Sequence, residues 1–169
     1  MEVTASFLEE RAVSLATVLL TRHPRVLVTQ SLRFEGFDLQ VKITHGNRFS
    51  GRSFAIVVKA RKKLDGIGRR VGGNRVRLRA ELVKALTNSA HAASDLPFPL
   101  LFMAFTMDSD SAFFGWLREP SGAARLETPK VEFAAEWTSG THDDVIRKVE
   151  AWYDEREGIN NQRRSARID

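Results

Sequence analysis

Cysteine is absent from all 169 positions, which rules out disulfides and thiolate metal sites and gives no sign of an oxidising compartment. Long apolar runs are missing too. The longest, such as residues 98–105, falls far short of the roughly 20 residues that cross a bilayer as a helix. The opening Met1-Glu2-Val3-Thr4 lacks the basic start and apolar stretch of a secretory signal. These absences make a cytoplasmic protein without membrane contact the expectation. No His-x-His or His-x-x-x-His pair is present for zinc, no Gly-x-Ser-x-Gly turn for a serine nucleophile, and no nucleotide-binding fingerprint. The four histidines, His23, His45, His91 and His142, are scattered through loops and element ends and read as surface residues.

What is present fits one globular domain: 43% hydrophobic and 28% charged residues, in a chain too short for two comfortable domains. We assign that domain to residues 1–157 and read residues 158–169 as a basic, disordered tail. The net charge of +5 is unevenly placed. Between Arg48 and Arg79 stand eleven arginines and lysines against one acid, Asp65. Such a stripe attracts polyanions, although a solvated face is the plainer reading of any basic run. Its position directly after Lys59 favours nucleic acid as the partner.

Periodicity supplies the elements. Residues 4–21 carry Leu8, Ala12, Leu15, Ala16, Leu19 and Leu20 at helical spacing, with Thr4 as a cap and His23-Pro24 as a stop. Residues 25–34 read as a strand. Residues 37–44 follow with alternation, Phe37, Leu39, Val41 and Ile43 on one face and Asp38, Gln40, Lys42 and Thr44 on the other. A third strand covers residues 53–60. Residues 64–74, rich in glycine and basic side chains, read as a mobile surface loop, and residues 75–93 as a helix. Residues 100–107 form a buried strand that turns at Asp108-Ser109-Asp110-Ser111 into residues 112–118. A last strand lies within residues 130–137, and a terminal helix, capped by Thr141, covers residues 142–156.

Two adjacent strands thus bring one carboxylate, Asp38, and one ammonium, Lys59, toward the same face. Glu9 falls inside the helical arc of Ala12, Ala16 and Leu20. A carboxylate on that edge needs a partner, which a metal or Lys59 would supply; the alternative is a first-turn acid that favours the helix dipole.

The order helix, three-strand meander, helix, strand resembles the PD-(D/E)XK nuclease superfamily, in particular a bacterial and phage branch of it. The resemblance spans residues 5–120. It rests on Glu9, Gly36-Phe37-Asp38, Val57-Val58-Lys59, Leu96-Pro97 to Phe105, and Phe113-Phe114-Gly115-Trp116. It implies a restriction-endonuclease-like α/β fold, an αβββαβ core with a mixed central sheet, followed here by a C-terminal hairpin and helix. It also implies phosphodiester hydrolysis with Mg²⁺ or Mn²⁺, in a defence, repair or mobile-element setting. Asp38, Glu9 and the Val58 carbonyl would hold the metal, and Lys59 would orient the attacking water or stabilise the transition state. Arg61, Lys62, Lys63, Arg69, Arg70 and Arg75 would grip phosphates, most simply of DNA. The chain departs from the pattern at Val57, where an acidic or amide ligand is usual. That departure keeps a second reading open, a catalytically inactive nuclease-fold subunit that contacts nucleic acid or a protein partner in a larger complex.

Overall fold

A computed structural model describes residues 2–31 and 36–166, the first five of these as backbone only. Helix α1 (Glu2–Thr21) leads into strands β1 (Val26–Gln30), β2 (Leu39–His45) and β3 (Arg48–Arg61). A single turn of helix, α2 (Leu64–Ile67), precedes β4 (Gly68–Gly72) and β5 (Arg75–Leu78), and α3 (Ala80–Ala92) precedes β6 (Leu100–Thr106). Strands β7 (Ala112–Ser121), β8 (Arg125–Glu127) and β9 (Phe133–Glu136) lead to α4 (Ser139–Ser165). Among the described residues the strands form one mixed sheet in the order β1-β2-β3-β6-β7-β9-β5-β4, with β8 added to β7. The pairing of β3 with β6 is parallel and every other pair among them is antiparallel. The molecule is therefore α/β with a largely antiparallel central sheet, as the chain's periodicity leads one to expect at that level. No helix among the described residues is long and apolar enough to cross a membrane.

The centre of the sheet explains its sequence. Phe54-Ala55-Ile56-Val57-Val58 in β3 and all of β6 are buried, because both faces are covered. Phe54, Ile56 and Val58 point into one cluster with Leu39, Val41 and Ile43 of β2, beneath α1 and α4. Ala55 and Val57 point the other way, into a second cluster beneath α3 that includes Leu82 and Leu86. Helix α1 lies close to the sheet because its inner stripe is Ala12, Ala16 and Leu20, all without exposure. Helix α4 is tied down by β3. Arg52 donates to Asp154 at 2.6 Å and Glu157 at 3.3 Å, and the Tyr153 hydroxyl exchanges hydrogen bonds with both backbone groups of Ser53.

Several expectations are corrected. Strand β1 ends at Gln30; the rest of the expected strand, residues 32–34, lies outside the described residues. The glycine-rich segment 64–74 is a short helix and half a hairpin rather than a loop. Gly68 is required there, since a Cβ would sit 2.0 Å from the Arg77 carbonyl oxygen across the ladder. The following helix starts at Ala80, not residue 75, because Val76 and Leu78 alternate with Arg75 and Arg77 at period two and pair as β5. The last helix starts one turn earlier than expected. Its cap is Thr138, whose hydroxyl accepts from the Thr141 N–H while the Thr141 hydroxyl accepts from the Thr138 N–H. It continues to Ser165, through most of the segment expected to be disordered: turns anchored by Arg52 extend at one hydrogen bond per residue, and Arg163 and Arg164 suit the negative end of the dipole.

His142, expected at the surface, is 5% exposed. It packs against Trp137 and against the ring of His23 at the junction of α1 and α4, and its Nε2 has no hydrogen-bond partner among the described residues. Desolvation by burial, with His23 alongside, lowers its pKa from 6.5 to about 4, against a smaller opposing pull from Asp143. Asp143 itself pairs with His23 at 3.0 Å. A histidine held neutral in this way contributes stability that is complete above its unfolded pKa near 6.5 and is lost as pH falls toward about 4. We expect His142→Phe, which replaces the ring without a titratable atom, to lose less stability than wild type between about pH 7 and pH 4.5. Urea midpoints of the two proteins at both pH values check this; a gap that does not change with pH would refute it.

Candidate functional site

The site forms where α1, the ends of β1 and β3, and the start of β2 meet near the end of α3. Gly36 adopts φ 78°, a left-handed turn that glycine tolerates and side chains resist. The bend carries Phe37 to the α3 side of the sheet, where it packs edge-on against Phe98 at 6.0 Å. Phe37 was expected to share a face with Leu39; because β2 begins only at Leu39, the bend releases it to the opposite core. The next residue is Asp38. Its backbone N–H donates to the Ile56 carbonyl at 2.9 Å, and its carboxylate Oδ2 accepts from the Val58 N–H at 2.6 Å. The carboxylate thus takes the place of a backbone acceptor that β2, bending away, does not supply.

Asp38 lines a cavity of about 710 Å³ together with Glu9 and Glu10 of α1, Gln30 and Ser31, Val57 and Lys59 of β3, and Ser89 of α3. Three residues singled out from the sequence, Glu9, Asp38 and Lys59, are therefore brought to one cavity from three elements. They contribute differently. Lys59 and Asp38 are half-buried, whereas Glu9 is exposed rather than sitting on the buried edge of its helix. One turn before the buried Ala12, Glu9 instead lines the open cavity. Among the described residues no ion pair joins Asp38 to Lys59. Val58 does not line the cavity; its side chain is buried beneath α1 and its N–H is what reaches Asp38. Val57, 2% exposed, lines the cavity floor and packs toward α3. Gln40 does not line it and instead donates to the Ser53 hydroxyl at 3.3 Å. Among the described residues no three His, Asp or Glu side chains are already gathered as a metal cage.

The basic residues divide into two groups. Arg61, Lys62 and Lys63 close β3, where the carbonyls of Arg61 and Lys62 accept from the N–H groups of Met107 and Asp108. Arg69, Arg70 and Arg75 lie on the β4–β5 hairpin, at the far edge of the sheet from β1. Arg70 is engaged, with Glu136 at 3.2 Å and the Phe113 ring beneath it, and Arg75 lies over the Phe133 ring at 4.5 Å. The Asp108–Ser111 turn serves the fold: Asp110 pairs with Arg11 of α1 at 2.8 Å. Sequence reasoning missed the cavity contributions of Glu10 and Ser89, which carry no motif and reach the site through the approach of α1 and α3. Compared with known proteins, the chain matches no protein-family profile and no curated protein.

The geometry separates two roles for Asp38. A charge-assisted hydrogen bond to a backbone N–H is worth about 1.5–3 kcal/mol. We expect Asp38→Ala to lower unfolding stability by about 1–3 kcal/mol and Asp38→Asn, which keeps an acceptor, to lower it clearly less. Denaturant titration of both variants checks this; equal stability of Asp38→Ala and wild type would show that the Val58 contact carries no weight.

Proposed function

We propose that this chain is a nucleic-acid-binding domain of PD-(D/E)XK nuclease type whose cavity supports Mg²⁺- or Mn²⁺-dependent phosphodiester hydrolysis. The observation that carries the reading is the meeting of Glu9, Asp38 and Lys59 on one cavity, from the first helix, the bend that leads into β2, and β3. The element order supports it: a helix, three antiparallel strands, and after an intervening helix a strand parallel to the third. Among the described residues the cavity wall carries the carboxylates of Glu9 and Asp38 beside the ammonium of Lys59. Such a wall suits a hard divalent cation, which takes oxygen ligands and neutralises phosphate. Asp38 and Glu9 would hold the cation. It would polarise the phosphate and activate water, and Lys59 would orient that water or stabilise charge as it develops. Arg61, Lys62 and Lys63 follow Lys59 directly and would position the nucleic-acid backbone; Arg69 and Arg75 would extend that contact, whereas Arg70 is held by Glu136. DNA is the simplest substrate, and a defence, repair or mobile-element complex with protein partners is the natural setting.

One observation favours a second reading. Val57 stands on the cavity floor where a ligand would be needed, and one Asp38 oxygen is already committed to the Val58 N–H. A domain so built would bind nucleic acid, or a partner protein, without cutting.

Incubation with plasmid DNA and Mn²⁺ decides between them. If the site is live, Asp38→Asn and Lys59→Met abolish cleavage while the melting temperature stays close to that of wild type. Val57→Glu adds an oxygen ligand but buries a carboxylate, so we expect tighter Mn²⁺ binding by titration calorimetry and a melting temperature that rises with metal. Metal-independent cleavage, or cleavage retained in both variants, would refute catalysis at this site. Binding without cleavage in wild type would establish the non-catalytic module.

A further inference from the structure

Arg69 and Arg77 are directly paired across the β4–β5 ladder, and their side chains share one face. Like charges so placed destabilise a hairpin, and nothing in the fold neutralises Arg69: it makes no ion pair among the described residues. The next strand places Phe133 opposite Arg77. The Arg77 guanidinium lies 5.3 Å and that of Arg75 4.5 Å from the centre of the Phe133 ring. One carboxylate reaches this face among the described residues, Glu132, and it is shared between Arg77 at 3.7 Å and Lys130 at 3.4 Å. The opposite face of the same hairpin is apolar, with Val76 and Ala134 in the core beneath α3. Arg70 belongs to that side, held by Glu136 over the Phe113 ring. The hairpin is also firmly mounted, since the Glu136 N–H donates to the carbonyl of the turn residue Asn74 at 2.8 Å.

We propose that the outward face of this hairpin, Arg69, Arg75 and Arg77 set around Phe133, is a phosphate-backbone binding surface, with Phe133 as the positioning residue that holds two of the three guanidinium groups. The inference rests on the nucleic-acid reading above and sharpens it: it adds Arg77 and Phe133 to Arg69 and Arg75. A polyanion is the partner this face fits, because phosphates relieve the Arg69–Arg77 repulsion that the fold leaves standing. Planar guanidinium groups also match phosphate oxygens in pairs. A ring that stacks both arginines spares them side-chain entropy on binding.

The test is salt-dependent DNA binding by the full chain, followed by fluorescence anisotropy on unrelated sequences. Removing one arginine that grips a phosphate flattens the slope of log affinity against log salt by about 0.9. The triple variant Arg69→Ala, Arg75→Ala, Arg77→Ala should therefore lower the slope by about 2 to 3, and Arg70→Ala should leave it unchanged. Phe133→Leu should weaken binding about threefold to tenfold with the slope retained, since the charges remain but are no longer ordered, and Phe133→Tyr should restore it. Thermal melts of each variant guard against loss of fold. A triple variant with the wild-type slope, or an Arg70→Ala effect as large as that of Arg77→Ala, overturns this assignment while leaving the nucleic-acid reading intact. Wild type that shows no salt-dependent DNA binding overturns the nucleic-acid reading itself. Retention on polyglutamate equal to that on DNA would assign the face to an acidic protein and overturn the proposal.

Discussion

The parallel pairing of β3 with β6 is the contact on which the rest of the structure depends. Seven consecutive residue pairs, from Ala55 with Leu100 to Arg61 with Thr106, join the two strands. A parallel pair cannot be closed by a tight turn and needs a long crossover. The chain uses that crossover to build α2, the β4–β5 hairpin and α3. Two cores follow from the same pairing, because a strand pair buried on both faces must be covered from both sides. Helices α1 and α4 seal one face and α3 the other.

The cavity is a consequence of where that pairing stops being shared. β2 begins only at Leu39, so β3 runs past it and the Val58 N–H lacks a backbone partner on that side. Asp38 supplies its carboxylate instead. The residue that closes the ladder is therefore the one that faces the cavity beside Lys59 and Glu9. Fold and chemistry compete for its two oxygens, which is why Asp38 is informative whichever way the site is used. Val57, immediately beside it in β3, is where packing has prevailed: it is buried against α3 rather than offering a ligand.

Polar side chains elsewhere tie helices and turns to the sheet. Arg118 donates to the carbonyls of Ala93 and Leu96 just after α3, and Glu155 of α4 accepts from the N–H groups of Ala123 and Ala124, both in left-handed backbone at the β7–β8 turn. These contacts satisfy backbone groups that the helix ends and the turn leave without ladder partners. On the basic face of the β4–β5 hairpin, by contrast, charge is gathered and only partly neutralised, by Glu132.

The sequence by itself determined the elements with strong periodicity. The stripe Ala12, Ala16, Leu20 marks α1, the alternation Leu39, Val41, Ile43 marks β2, and the unbroken apolar runs of β3 and β6 mark strands covered on both faces. It also picked out Glu9, Asp38 and Lys59, because a carboxylate and an ammonium at the ends of successive strands are legible as spacing. What it did not determine is how short, polar or glycine-rich segments resolve. Four residues of alternation in β5 were outweighed by the helical pattern that follows, and a glycine-rich stretch became β4 only because Gly68 lets two backbones meet. His142 looked like a surface residue, since nothing local says that Trp137 and His23 will enclose it. The bend at Gly36, the Asp38–Val58 hydrogen bond and the grouping of Arg75 and Arg77 on Phe133 were decided by tertiary structure alone. Each depends on which strand lies next to which, and that is set by contacts between residues far apart in the chain rather than by any local preference.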